Sequence, residues 1–326
     1  MERPRGEPSA ADFELAEVEL PEPGDGEVLV RNAWLSVDPY MRARMNAVRS
    51  YAPSYELHQP MYGGAVGQVE ASRLDGFEPG NWVVHAHGWR ERTLCDGRGL
   101  RRVDAQLVPP QTYLGVLGLP GFTAYVGIDD IGRVREGDVV YISAAAGAAG
   151  SAAAQMAKIR GAQVVGSAGS AEKVAWLEEL GLDAVFDYRE RPVREALREL
   201  APDGIDVYFD NVGGEQLEAA IGAMRDHGRI VACGSIAHYN DTEPSRGPRN
   251  LALVVTRRLR VEGFIVTDHN HRLPAFLTEA AGWVADGRLR WRETVVEGIE
   301  QMPAALVGML RGDNIGKMLV KVGDEG

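Results

Sequence analysis

Residues 141–155, YISAAAGAAGSAAAQ, decide the fold. An apolar run is broken by two glycines three apart and then continues in alanines. "DVVYIS" (138–143) before the break reads as a strand, and "SAAAQMAKIRG" (151–161) after it reads as a helix that packs its small residues closely. Between them lies Ala145-x-Gly147-x-x-Gly150, the dinucleotide spacing with alanine in place of its first glycine. Gly147 lets a backbone approach a pyrophosphate, and Gly150 lets the helix sit tight on the strand. The helix N-terminus attracts negative charge. The plain alternative is an alanine-rich buried helix with incidental glycines. The setting favours the loop, because it joins a strand to a helix and a second strand follows at 163.

Outward from this loop, residues 138–266 alternate strand-like runs ("QVVGSA", "DAVFDY", "IDVYFDN", "RIVACG", "RVEGFIV") with helical stretches such as "AEKVAWLEELG" and "GEQLEAAIGAMRDHG" (214–228). That rhythm predicts right-handed β-α-β units on a parallel sheet. Before residue 113 the texture is different. "FELAEVEL" (13–20), "GEVLVRNAWLSV", "GGAVGQVEAS" and "GNWVVHAHGWRERTL" (80–94) read as short strands between turn signals, a β-rich domain. The chain returns to strand-like "RETVVEG" and "KMLVKV" around a helix after about residue 290. The expected division is therefore 1–113 with 290–326 as one domain and 114–289 as the other.

With 326 residues the chain is long enough for about two domains. No apolar run approaches the roughly 18 residues a membrane helix needs, and a net charge of −12 argues against a nucleic-acid surface. A cytoplasmic enzyme or binding protein is the default expectation. Two cysteines, Cys95 and Cys233, can build neither a disulfide framework nor a four-cysteine zinc lobe. The histidine pairs "HAH" (85–87) and "HNH" (269–271) have no further convincing ligand, so no metal site is expected. No Gly-x-Ser-x-Gly elbow supports a serine nucleophile.

About 20 residues past the loop, where an NAD enzyme places an acid on the ribose hydroxyl, stands "GSAGSAEK" (166–173) with no carboxylate at the strand tip. Glu172 falls in the first turn of the next helix, where the helix dipole favours an acid anyway. Lys173 with Ser170 suits a ribose 2′-phosphate, which favours NADPH over NADH. An exposed lysine on a surface helix is the alternative.

At "LSVDPYMRARM" (35–45), "LGVLGLPGFTAYVGIDDIG" (114–132), "DNVGGEQL" (210–217), "CGSIAHYN" (233–240), "EGFIVTDH" (262–269) and "GDNIGKMLVKV" (312–322) the chain resembles the zinc-independent medium-chain dehydrogenases/reductases, and within them the alkenal/one double-bond reductases. The resemblance runs over nearly the whole chain, in order. It implies a GroES-like domain beside a doubly wound Rossmann domain, with the active site in the cleft. It places Gly147, Ala148, Ala149 and Gly150 under the pyrophosphate of NADP(H), and Lys173 and Tyr188 at the adenosine phosphate. Asn211, the segment Cys233, Gly234, Ser235 to Tyr239, the run Phe264, Ile265, Val266, and Asn314 would line the rest of the cofactor. Tyr40 and Tyr51 are candidates for a substrate wall, with core packing an equal reading of each. Relative to this family the chain begins late, which leaves the edge of the β-rich domain open. The loop 239–250 has two prolines where relatives carry a longer Pro-rich run.

A zinc alcohol dehydrogenase of the same superfamily needs a Gly-His-Glu segment, and "GGAVGQVEA" stands in that place. The expected reaction is therefore metal-free hydride transfer to the activated double bond of a small electrophilic enal or enone, with the Tyr239 hydroxyl hydrogen-bonding the developing enolate or the nicotinamide ribose hydroxyl. Plugging the cleft is the other reading of Tyr239. A zinc-free quinone reductase and a non-catalytic NADPH-binding sensor are the competing functions. A homodimer through the edge strand at 260–266 is the expected assembly.

Overall fold

β1 (Val28–Ser36) is buried along most of its length because it has neighbours on both sides. It runs into a short helix, α1 (Tyr40–Arg44), and then β2 (Ala65–Ser72), β3 (Trp82–His85), β4 (Arg92–Cys95) and β5 (Arg101–Arg102) follow. β1 pairs antiparallel with β2 and β4, β2 with β3, and β3 with β5. The computed structural model describes residues 3–323 and falls into two compact units. One is the chain up to Gly118 together with the chain from Glu293 onward, and the other is Leu119–Arg292.

The second unit opens with α2 (Leu119–Val126). It then alternates β6 (Val139–Ile142), α3 (Ala148–Ile159), β7 (Gln163–Ala168), α4 (Ala171–Glu179), β8 (Ala184–Asp187), α5 (Val193–Leu200), β9 (Ile205–Asp210), α6 (Gly214–Ala223), β10 (Met224–Ala232), α7 (Ala252–Thr256) and β11 (Arg260–Gly263), and closes with α8 (Leu273–Ala285). The six strands are all parallel in the order β11-β10-β9-β6-β7-β8. This is the doubly wound Rossmann order, with the chain reversing direction across the sheet between β6 and β9. Its core on one face joins Tyr141, Phe186, Tyr208 and Ile230 to Leu197 of α5 and Ile221 of α6. Burying each such side chain contributes about 1.5–3 kcal/mol.

The chain then re-enters the first unit with β12 (Glu293–Glu297), α9 (Met302–Arg311) and β13 (Lys317–Lys321). β13 lies parallel to β12 and antiparallel to β1, so the last strand completes the sheet that the first one began. Leu306 and Met309 of α9 pack on Leu35, Met41 and Val320. The result is the β-rich GroES-like unit.

The structure corrects four expected elements. Residues 13–20 form no strand: Leu15 and Val18 are 65% and 74% exposed, because the alternating apolar residues meet no neighbouring strand. Phe13 alone is anchored, stacked 5.4 Å from the Trp89 ring. The run 80–94 is two strands, β3 and β4, parted by a turn in which Trp89 takes a left-handed φ of 57°. The helix expected over 214–228 stops at Ala223, since Met224 is already extended and inserts its side chain into the core. β11 stops at Gly263, so Phe264, Ile265 and Val266 lie beyond the edge strand and lead into a 3₁₀ stretch, Val266–Arg272.

Candidate active site

β6 ends at Ile142, and the chain turns through Ser143 to Gly147 before α3 begins. Ala144 adopts φ 46°, and its carbonyl accepts from the Gly147 amide at 3.0 Å. Gly150 is buried under this turn. A Cβ there would overlap the Ala144 carbonyl oxygen and stand 2.9 Å from the Ala145 Cα. At Gly147, the N-cap of α3, a Cβ would lie 3.3 Å from the same oxygen. No side chain caps this end. The amides of Ala148, Ala149 and Gly150 therefore have no intrahelical partner and sit at the electropositive end of a twelve-residue helix.

The neighbouring strand end is wired to this loop. Asn211, just past β9, donates its side-chain amide to the Ser143 carbonyl at 2.7 Å and its backbone amide to the Ser143 hydroxyl at 3.0 Å. Asp210 accepts from the Tyr208 hydroxyl at 2.7 Å and from the amides of Val212 and Gly213 at 3.0 and 2.7 Å. Burial pushes the Asp210 carboxyl up, and these donors oppose the shift. Behind it, Tyr141 donates to Gln216 at 2.8 Å and shares a 2.9 Å contact with Ser167. Ser143 and Asp210 stand in quoted stretches, but neither stretch shows that they meet Tyr208; the strand pairing β6 to β9 brings the three together.

The segment after β10 lies beside Asn211. The amides of Cys233 and Gly234 both donate to the Asp210 carbonyl at 2.9 Å, and a Cβ on Gly234 would lie 3.1 Å from the Asn211 carbonyl oxygen. Burial pushes the Cys233 thiol up to about 12, with the Asp210 charge adding to the shift. Ser235 opens a 3₁₀ turn that Tyr239, half-buried, closes through its amide to the Ile236 carbonyl. Phe264 meets the His269 ring edge-on at 6.2 Å.

A second group stands at the ends of β7 and β8. Ser170 caps α4, its hydroxyl accepting from the Lys173 amide at 3.4 Å. Tyr188 lies against Gly169, where a Cβ would come 2.8 Å from the phenol oxygen. Ser170, Lys173 and Tyr188 thus flank one strand tip that carries no carboxylate. Glu172 points instead to Arg292, at 2.9 Å. The resident groups fit a dinucleotide with a 2′-phosphate: a cradle that excludes side chains, free amides at a helix start, and a lysine beside the tip.

The remaining expected residues belong to the β-rich unit. Asn314, half-buried, donates to the Gly316 carbonyl at 2.7 Å. Tyr40 packs against the core of α1 and α9, and burial pushes its phenol well above the usual range. Tyr51 is 59% exposed, so core packing does not describe it. Cys95 is buried against the Val28 carbonyl. Trp34 and Met41 are core residues, as is Tyr125 in the Rossmann unit. Among the described residues, no three His, Cys, Asp or Glu side chains converge in a way that could hold a metal ion. No helix among them is long and apolar enough to cross a membrane.

Residues 1–103 match the model of an N-terminal domain of oxidoreductases, and residues 148–282 that of zinc-binding dehydrogenases. Prostaglandin reductase 1 of Rattus norvegicus is 43% identical over 321 residues, covering 97% of this chain and 95% of its own. A 2-alkenal reductase (NADP(+)-dependent) of Nicotiana tabacum is 40% identical over 328 residues, covering 98% and 95%. The crystal structure of CurA in complex with NADPH from Vibrio vulnificus superposes with a TM-score of 0.95 at 39% identity, over 99% of this chain and 98% of that one.

Proposed function

The chain belongs to the medium-chain dehydrogenase/reductase family, in its alkenal/one double-bond reductase branch, and from that premise we propose that it is an NADPH-dependent reductase of the carbon-carbon double bond in α,β-unsaturated aldehydes and ketones. The observation that carries the reading is the turn between β6 and α3, where Gly150 leaves no room for a side chain and three helix-start amides are free of intrahelical partners. The names of the prostaglandin and 2-alkenal reductases, and the NADPH in the CurA crystal structure, support the cofactor and the substrate class.

In this reading Gly147, Ala148, Ala149 and Gly150 hold the diphosphate, and Lys173, Ser170 and Tyr188 the 2′-phosphate. Asn211, pinned to Ser143, and the segments Cys233–Ser235 and Phe264–Val266 line the remainder. NADPH, when bound, would supply a hydride to the carbon β to the carbonyl, and a proton from a hydroxyl or water would then reach the α carbon of the enolate. The Tyr239 hydroxyl donates to the carbonyl oxygen as charge develops there, which lowers the barrier only where that charge appears. Tyr40 and Tyr51 offer apolar rings with polar tips for the substrate.

The test is NADPH oxidation against a panel of enals, enones and quinones, with NADH as control. Turnover on enals and enones above quinones supports the reading. Turnover on quinones alone, or cofactor binding without consumption of any electrophile, defeats it. A cytoplasmic homodimer completes the proposal, because β11 is a sheet edge with Val261 51% exposed. Light scattering that returns the mass of one chain removes the dimer.

A further inference from the structure

The turn after β3 gathers three basic side chains that pair with no carboxylate among the described residues. His85 ends β3 and is 7% exposed. Its Nδ1 accepts the backbone N–H of His87 at 3.1 Å. Burial, with the charges of His87 and Arg90, lowers its pKa to about 3, so the ring is neutral and its proton sits on Nε2. That Nε2–H is buried and finds no acceptor among the described residues. The His87 ring lies 5.7 Å from the His85 ring and 5.9 Å from the Tyr62 ring. The Arg90 guanidinium lies 5.6 Å over Tyr62.

Arg90 is half-buried and gives its Nε to the Gly88 carbonyl at 3.1 Å, but no carboxylate among the described residues pairs with it. Asp96, the acid whose charge reaches His87, is paired with Arg98. Backbone bonds fix the turn instead. Gly63 donates to Ala86 at 3.0 Å, Gly88 donates to Gly63 at 2.9 Å, and the buried Asn32 amide donates to the carbonyls of His87 and Arg90 at 3.3 and 2.8 Å. A buried donor without an acceptor, as His85 Nε2 is, is costly unless a ligand completes it.

We propose that His85, His87 and Arg90, with Tyr62, bind the carboxylate of a small molecule. One permanent positive charge beside two imidazoles suits a monoanion, and the guanidinium fork matches a planar carboxylate. Tyr62, 47% exposed and already beside Arg90, offers aromatic surface to the apolar stem. The site lies wholly in the β-rich unit, and only the second arm of its test rests on the reductase reading. The carboxylate is either the acid end of the enzyme's own substrate or a separate small acid.

Two arms test it on the full chain. In the first, the imidazole resonances of His85 and His87 are followed by NMR during titration with hexanoate, with hexanamide as the neutral control, and no cofactor is needed. Hexanoate shifts both rings saturably and hexanamide does not. Arg90→Gln weakens hexanoate by about tenfold or more, Arg90→Lys less, and the thermal midpoint of Arg90→Gln matches wild type. Absence of a saturable shift, an equal response to hexanamide, or undiminished binding by Arg90→Gln overturns the site. In the second arm, NADPH oxidation is compared on a linear enone and on the same enone ending in a carboxylate. A lower KM for the acid that Arg90→Gln abolishes identifies the substrate as the source of the anion; equal KM values alongside the hexanoate shift identify a separate ligand.

Discussion

Lys317 Nζ donates to Asp38 Oδ1 at 3.0 Å, a bond between two buried side chains 279 residues apart. The same ammonium donates to the Val37 and Met318 carbonyls at 2.6 and 3.0 Å, and Ser36 donates to Asp38 in turn. "VDPYMR" and "GDNIGK" are thus two halves of one buried polar knot that ties β13 to the end of β1. Removing one partner strands the other charge, so Lys317→Met is expected to lose about 3–5 kcal/mol. The double variant Lys317→Met/Asp38→Asn recovers part of it. Urea denaturation of the three proteins measures both.

Gly150→Ala places a methyl group against the Ala144 carbonyl. It should lower stability by about 1–3 kcal/mol and abolish tight NADPH binding. Gly147→Ala meets a tight but milder contact, 3.3 Å from the Ala144 carbonyl oxygen, with ordinary backbone angles, so it costs less stability than Gly150→Ala and weakens NADPH. Thermal melts and fluorescence titration separate the two effects.

Lys173→Ala should raise the NADPH dissociation constant by about tenfold or more and leave that of NADH unchanged, since a charge-assisted bond to the 2′-phosphate is lost. Equal loss for both cofactors defeats the assignment.

Tyr239→Phe keeps the ring and removes the hydroxyl. Turnover on an enone should fall on the order of 10 to 1,000-fold with NADPH binding nearly intact. Unchanged kcat places Tyr239 among the packing residues.

His85 has its pKa lowered in the folded state to about 3 from 6.5. Its contribution to stability is fully present above pH 6.5 and is lost as pH falls from there through 3, because the unfolded chain takes up the proton first. His85→Phe should flatten that acid limb, measured as the urea midpoint from pH 7 down to 4.

The sequence made the Rossmann half legible because steric demands are written locally. Gly150 must be glycine where a helix start crosses a carbonyl, and strands buried on both faces read as continuous apolar runs. Residues 13–20 misled because alternation marks a strand only if a partner edge exists, which no local pattern reports. The end of α6 was hidden by Met224, an apolar residue that fits a helix face as well as a strand. In sequence, His85 and His87 read as metal ligands or as ordinary strand and turn histidines, and neither reading reaches an anion. The buried His85 Nε2 without an acceptor, and the gathering of His87, Arg90 and Tyr62 beside it, follow from strand pairing. Lys317 and Asp38 each lay in a quoted motif, yet nothing in either motif says that they touch.

The pairing of β13 with β1 also dictates an order of assembly during synthesis. The first strands leave the ribosome long before the final segment exists, and one flank of β1 stays unzipped with Asp38 lacking its cation until Lys317 emerges. The interposed Rossmann unit contains all of its own strands and can fold while translation continues. A nascent chain arrested before residue 317 would therefore carry a finished α/β body and an unsealed β-rich one, so loss of the last few strand residues should be far more damaging than their number suggests.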